Sequence, residues 1–238
     1  MIADNINFTL GKGELVAVSG ANGIGKSTLL RSISGVQSIL NGEVVLDAKN
    51  LKSYSPVELA SKLSIVLTEP LPTSNLTVNE LVALGRQPYT NWLGTFTQTD
   101  TKHIEEALKL ISIFHLKDKK CFELSDGQLQ KVMIARALAQ DTPLIILDEP
   151  TTHLDIYHKA YILKLLKTIT RETGKTIIFS SHEIELAIQL CDLMLVMTPD
   201  GISFGDPCEL IKNNVFSTLF PKDLIRFDKS TGTFRIHK

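Results

Sequence analysis

The 238-residue chain predicts an α/β fold with a mostly parallel core sheet and an α-helical subdomain inserted into it. Three observations carry that prediction. Short apolar runs bounded by turns alternate with helical periods, the pattern of strands joined by crossover helices. One such run, "ELVAVSG", feeds a glycine-rich turn that opens a helix, "GKSTLLRSISG". A middle stretch breaks the alternation and reads as helical throughout.

After the first strand and helix, "GEVVL" reads as a strand, "SPVELASKL" as a short helix and "LSIVLTE" as a further strand. Residues 70–139 then carry "TVNELVALG", "TKHIEEALKLISIFHL" and a helix following Gly127. In the second of these, Ile104, Ala107, Leu108 and Ile111 share one helical face. Strands return as "PLIILDEP", "KTIIFSSH" and "LMLVM". Between them "IYHKAYILKLLKTITRE" places Ile162, Leu165, Leu166 and Ile169 on one stripe. "DGISFGDPCELI" reads as a hairpin running into a short helix, and the tail from Asn214 as a small appendage. The expected division is one domain, with a core of residues 1–69 and 140–238 and a helical subdomain of 70–139.

Composition narrows the function. A formal net charge of -1 excludes binders that rely on a broad basic field, so no nucleic-acid partner is expected. Cys121, Cys191 and Cys208 lack metal-ligand spacing and read as buried thiols in a reducing compartment. No apolar run approaches the ~18 residues that span a bilayer. The opening "MIADNINFTLGKGEL" lacks a basic segment followed by an apolar one. The expectation is a cytosolic chain that meets a membrane only through a partner.

The glycine turn carries chemistry. Gly20, Gly25, Lys26 and Ser27 complete G-x-x-x-x-G-K-[ST] between a predicted strand and a predicted helix. Its glycines let backbone N–H groups converge on phosphate oxygens, and the helix adds its positive end. Lys26 would reach the terminal phosphates and Ser27 a Mg²⁺ ion. "LIILDEP" ends a buried strand in two acids, where ligands of open α/β sheets collect. Asp148 is assigned to the metal and Glu149 to the general base for an attacking water. His182 closes "TIIFSSH" and would meet Gly20 and Asp148 at the same strand ends.

A second glycine turn, Ser125, Asp126, Gly127 and Gln128, opens a helix about a hundred residues downstream. Locally it needs no more explanation than a capped helix start. Its company suggests more. "GANGIGKST", "LSDGQ", "LIILDEP", "TTHLD" and "SSH" together, in this order, resemble the phosphate loop, signature turn, acidic strand, D-loop and histidine switch of the ATP-binding cassette family. The resemblance covers nearly the whole chain and implies a P-loop NTPase fold that binds and hydrolyses ATP with Mg²⁺. In that family two chains face head to tail. The resemblance therefore implies a homodimer in which Gly20, Ala21, Asn22, Gly23, Gly25, Lys26, Ser27 and Thr28 of one chain hold a nucleotide. Ser125, Gly127 and Gln128 of the other would cap it, with Asp155 reaching across. Glu149, His182 and Lys26 would be catalytic.

Three departures stand out. Asp126 occupies a position usually held by glycine, and its charge beside a triphosphate should point away or lower affinity. Glu69 stands where the family carries glutamine, so it would approach the metal through water and donate no amide hydrogen bond. The family stacks adenine on an aromatic residue from an earlier strand, whereas Phe8 in "INFTL" suits core packing. A missing segment of about 20–25 residues, one strand plus a turn, is the expected reason. Weaker ATP binding and an exposed sheet edge would follow.

"LTVNELVALGRQPYTNWLG" and "EPTTHLDI" most resemble importers of ferric siderophores, haem and cobalamin. That implies integral membrane permease subunits as partners, a periplasmic substrate-binding protein indirectly, and a peripheral place on the cytoplasmic face of the inner membrane. Arg86, Tyr89 and Trp92 are the candidates for a groove receiving the permease. The alternative is a non-transport cassette acting on nucleic acid or the ribosome. A plain P-loop kinase would leave "LSDGQ" unexplained.

Overall fold

The computed structural model describes residues 6–68, 75–91, 94–220 and 223–236. β1 (Leu15–Gly20) is buried at every position, as a strand covered on both faces must be. It leads through the phosphate loop into α1 (Lys26–Ile33). β2 (Val45–Leu46) and β3 (Lys49–Asn50) pair with each other. α2 (Pro56–Ala60) starts on a Ser55–Glu58 capping box and precedes β4 (Leu63–Val66). α3 (Val78–Ala83), α4 (Gln98–Leu110) and α5 (Asp126–Ala139) follow, again opened by capping boxes, at Thr77, Thr97 and Ser125. The chain continues as β5 (Leu144–Leu147), α6 (Ile156–Thr173), β6 (Thr176–Ser181), α7 (Ile184–Leu190) and β7 (Leu193–Thr198). β8 (Gly201–Gly205), α8 (Pro207–Lys212), β9 (Ile225–Asp228) and β10 (Thr233–Ile236) complete it.

The central sheet has the order β4-β5-β6-β1-β7-β8 and is parallel except for β8. Because β5, β6 and β1 are neighbours running the same way, their carboxyl ends bring Asp148, His182 and Gly20 to one end of the sheet. The period of two along β1 sorts its side chains. Leu15 and Ala17 join one buried cluster, and Val16 and Val18 the other, which packs under Leu29 and Leu30 of α1. The first cluster runs without a break from Val78, Leu81, Ile104, Leu108 and Ile134 to Leu147, Ile162 and Phe179. The helices α3, α4 and α5 thus share their core with one face of the sheet. At about 1.5–3 kcal/mol for each large side chain buried, that shared core is a major hold on the middle segment.

Several expectations change. Among the described residues, "GEVVL" supplies β2 of the small hairpin, paired with β3, and does not join the main sheet. On α6 the fully buried stripe is Ile162, Leu163, Leu166 and Ile169, while Leu165 is only partly buried. α6 packs against both the sheet and α7, and this wider contact takes in Leu163. Cys121 and Cys191 are buried, but Cys208 lies exposed on α8. Arg86 is not a groove residue. It is 5% exposed, its Nε donates to Asp100 Oδ1 at 2.9 Å, its Nη1 donates to the Ala139 carbonyl at 2.8 Å, and its guanidinium lies over the Tyr89 ring. Trp92 lies outside the described residues. The tail is more than an appendage: β9 and β10 pair, and Phe227 and Phe234 pack onto the main core beside Phe216.

Among the described residues, no helix is long and apolar enough to cross a membrane.

Candidate nucleotide site

The loop between β1 and α1 is shaped by close approach. A Cβ on Gly20 would stand 2.6 Å from the Met197 carbonyl oxygen, so only glycine lets β1 turn there against β7. Gly25 then takes a left-handed conformation as the N-cap of α1 and offers no side-chain cap. The first N–H groups of α1 are left facing the loop, the arrangement that favours an anion. Lys26 is 5% exposed. Its ammonium donates to the Gly20 and Ala21 carbonyls, each at 3.1 Å, and lies 3.4 Å from His182 Nδ1. Burial lowers the Lys26 pKa, opposed by Glu149 and Asp148 nearby. Asn22 and Gly23 lie on the exposed rim of the loop, and Thr28 is half-buried in the first turn of α1.

Asp148 sits just beyond β5, 2% exposed. Three hydroxyls face it: Ser27 at 2.9 Å, Ser180 at 2.7 Å and Thr68 at 3.4 Å. A buried acid held by hydroxyls, beside a loop built for anions, fits a divalent cation, which Ser27 and Asp148 would hold. Glu69, the third residue expected at the metal, lies outside the described residues.

Glu149 follows with φ 50°, a left-handed backbone rarely taken by a non-glycine residue. Its N–H donates to Ser180 Oγ at 2.8 Å, which helps hold it there. Its carboxylate accepts from Thr152 Oγ1 at 2.9 Å and lies 2.7 Å from His182 Nε2. Lysine only donates and a carboxylate only accepts. His182 therefore sits between them as the Nε2–H tautomer: Nδ1 accepts from Lys26, and Nε2–H donates to Glu149. Burial works to raise the Glu149 pKa, but the bonds from His182 and Thr152, with His182 and Lys26 close by, outweigh it and lower it. One continuous chain of contacts thus runs from the phosphate-loop lysine through the histidine to the acid.

The second turn lies apart from this chain. Ser125 Oγ accepts from Gln128 N–H at 3.4 Å, and Gln128 Oε1 accepts from Ser125 N–H at 3.1 Å. Ser125 and Asp126 are exposed, whereas Gly127 is buried against His158 and Leu154. Asp155 is exposed and caps α6 by accepting from His158 N–H at 2.8 Å. Among the described residues, no hydrogen bond or ion pair joins Ser125, Gly127, Gln128 or Asp155 to Lys26 or Glu149. Phe8 packs on the cluster under α1, its ring 5.4 Å from Phe204.

Sequence reasoning missed Ser180, Thr152, Thr68 and His158. Ser180 had a signal, since its place beside the acidic strand's end follows from the adjacency of the two strands. Thr152 and Thr68 depend on the path of loops, and His158 on how α6 packs against the second turn, and these carried none.

Fold and site together define a phosphate-loop nucleotide-binding protein with an acid and a histidine placed at the same strand ends. The family model for ABC transporters matches residues 3–152, well over half of the chain, and the chain belongs to that family. It is the ATP-binding, ATP-hydrolysing kind of subunit. It is 38% identical over 223 residues to the achromobactin transport ATP-binding protein CbrD of Dickeya dadantii, covering 93% of this chain and 83% of that protein. It is 34% identical over 224 residues to the iron(3+)-hydroxamate import ATP-binding protein FhuC of Bacillus subtilis, covering 94% and 83%. The dimeric structure of MJ0796, a bacterial ABC transporter cassette, superposes with a TM-score of 0.73 at 29% identity, covering 87% of this chain and 90% of that one.

Proposed function

We propose that this chain is the ATPase subunit of an importer for an iron complex, ferric siderophore or haem, or for cobalamin. It acts as a homodimer at the cytoplasmic face of the inner membrane. Its partners are integral permease subunits and, through them, a periplasmic substrate-binding protein. The iron-complex relatives support the cargo class. The observation that carries the mechanism is the separation of the two turns: the Lys26, His182 and Glu149 contacts close within one chain, while the Ser125 turn faces outward from it.

In this reading Lys26 and the N–H groups around Ala21, Asn22, Gly23, Gly25 and Thr28 hold the phosphates of ATP. Mg²⁺ held by Ser27 and Asp148 would neutralise charge on the phosphate oxygens, with Glu69 outside the described residues as a further candidate. Glu149 orients a water toward the γ-phosphate and takes its proton. His182, now on Glu149, can turn its Nε2–H to the phosphate when ATP is present. Ser125, Gly127 and Gln128 of the second copy cap the same phosphate, and Asp155 crosses the interface. Residues 70–139, as a helical subdomain on a core of 1–69 and 140–238, would carry the closing motion to the permease.

Co-expression with candidate permeases tests the assignment. A detergent-stable complex with a polytopic membrane protein, whose ATPase rate responds to the cargo-loaded binding protein, is expected. Nuclease-sensitive association with ribosomes or nucleic acid would contradict it.

A further inference from the structure

The first turn of α6 makes a contact that the phosphate site does not use. His158 Nδ1 lies 2.9 Å from both carboxylate oxygens of Asp155, which also accepts the His158 N–H at 2.8 Å. A carboxylate only accepts, so Nδ1 carries a proton and the imidazole is held by its own cap residue. The ring edge then faces the second glycine turn. A Cβ on Gly127 would stand 3.3 Å from His158 Cδ2 and 3.7 Å from Leu154 Cδ2. That glycine is buried although Ser125 and Asp126 beside it are exposed. The next residue, Lys159, pairs with Glu183 at 2.5 Å, and Glu183 follows His182 in the chain. One helical turn therefore touches the signature turn through His158 and the histidine loop through Lys159.

We propose that His158 is a positioning residue for the signature turn: clamped by Asp155, its ring sets the height at which Gly127 and Ser125 meet a phosphate held by the partner chain. The inference rests on the shared-site reading above. Under that reading Gly127 serves one ATP while His182 and Glu149 serve the other. The first turn of α6 then joins the two sites, with Lys159 on Glu183 as its second attachment.

The test compares His158→Ala, His158→Asn and His158→Gln in the full chain. Asparagine puts a donor near the place of Nδ1, and glutamine reaches toward Nε2 instead. Three quantities are read: Mg-ATP affinity of the monomer, ATP-dependent dimerisation in a Glu149→Gln background, and kcat, KM and Hill coefficient with Glu149 intact. Monomer affinity should change by less than about twofold, because no phosphate-loop residue is touched. For the alanine and glutamine variants kcat should fall about tenfold at unchanged KM, with the Hill coefficient moving toward one. Asparagine should restore most of the rate. Equal losses in all three variants, tracking a lower melting temperature, would reduce His158 to a stabilising residue and overturn the inference. Unchanged dimerisation and turnover in His158→Ala, with the Glu149→Gln parent still dimerising on ATP, would overturn it alone. A parent that never dimerises would overturn the shared site and this inference together.

Discussion

The turn at residues 20–25 and the turn at residues 125–128 both open helices, yet they leave their first N–H groups in different states. Gly25 caps α1 with no side chain, so those donors point into the loop. Ser125 and Gln128 cap α5 reciprocally. The first turn leaves its donors for an incoming anion, whereas the second satisfies two of its own through the capping box. What remains free at the second turn is limited but suitable. Ser125 Oγ accepts from Gln128 N–H, which leaves its own O–H to donate, and the cap does not use the Gly127 N–H. Such a turn can touch a phosphate without being able to hold one.

The largest effect that can break this comparison lies at the first turn's neighbour. Glu149→Gln should lower kcat on the order of a thousandfold while Mg-ATP binding is kept, measured as phosphate release against nucleotide titration. A parental rate would remove Glu149 from the base role. In the parent chain the acidic limb of kcat/KM, which reports the nucleotide-free enzyme, should lie below the ordinary glutamate pKa of 4.5, because, against burial, the hydrogen bonds from His182 and Thr152 keep the Glu149 carboxylate ionised to lower pH.

Next is the tie beneath the helical segment. Asp100→Asn strips a buried guanidinium of its partner and should cost about 3–5 kcal/mol of stability in denaturant unfolding. Hydrogen bonds from Thr97, then Arg86, hold the Asp100 carboxyl at about 2 against an ordinary 3.8. A depressed pKa contributes stability above the unfolded value. The gap in melting temperature between parent and variant should therefore be full above pH 4 and close as pH falls toward 2.

Ser180→Ala is a finer probe, since one hydroxyl donates to Asp148 and accepts from Glu149 N–H. It should reduce kcat roughly tenfold and stability by about 1–3 kcal/mol, because a buried carboxylate and a strained N–H each lose a partner. An unchanged rate would show that the acid pair is fixed by its backbone alone.

The smallest effect is expected at the second turn. Asp126→Gly removes an exposed carboxylate from the first turn of α5, costing about 0.3–1 kcal/mol of stability. The same change removes repulsion toward a triphosphate and should tighten ATP-dependent dimerisation a few-fold. Weaker dimerisation would mean that Asp126 faces a cation there.

The phosphate loop, the acid pair and His182 were legible because each motif lies within a few consecutive residues at a strand end. The parallel sheet then aligns those ends without further information. The stripe of Ile104, Ala107 and Leu108 on α4 was legible for the same local reason, although the helix ends at Leu110 and not at the end of "ISIFHL". "DGISFGDPCELI" supplies one strand, β8, whose hairpin partner is β7 before it. What escaped depends on partners distant in sequence. "GEVVL" has strand composition, but its pairing is decided by the turn after Leu46. Arg86 reads as an interface arginine until Asp100 and the Ala139 carbonyl are seen around it. His158 reads as one polar residue in a helix until Gly127 is found against its ring.

The claim beneath all of this is that each catalytic centre is built from two chains, and mixing two inactive variants tests it most directly. Lys26→Ala disables the phosphate loop of one chain, and Ser125→Arg disables the signature turn of the other. A mixed pair built head to tail keeps one wholly intact site, so ATPase activity should reappear at roughly a quarter of the parental rate. Activity that stays at the background of either variant alone would place both turns on the same nucleotide within one chain and contradict the account.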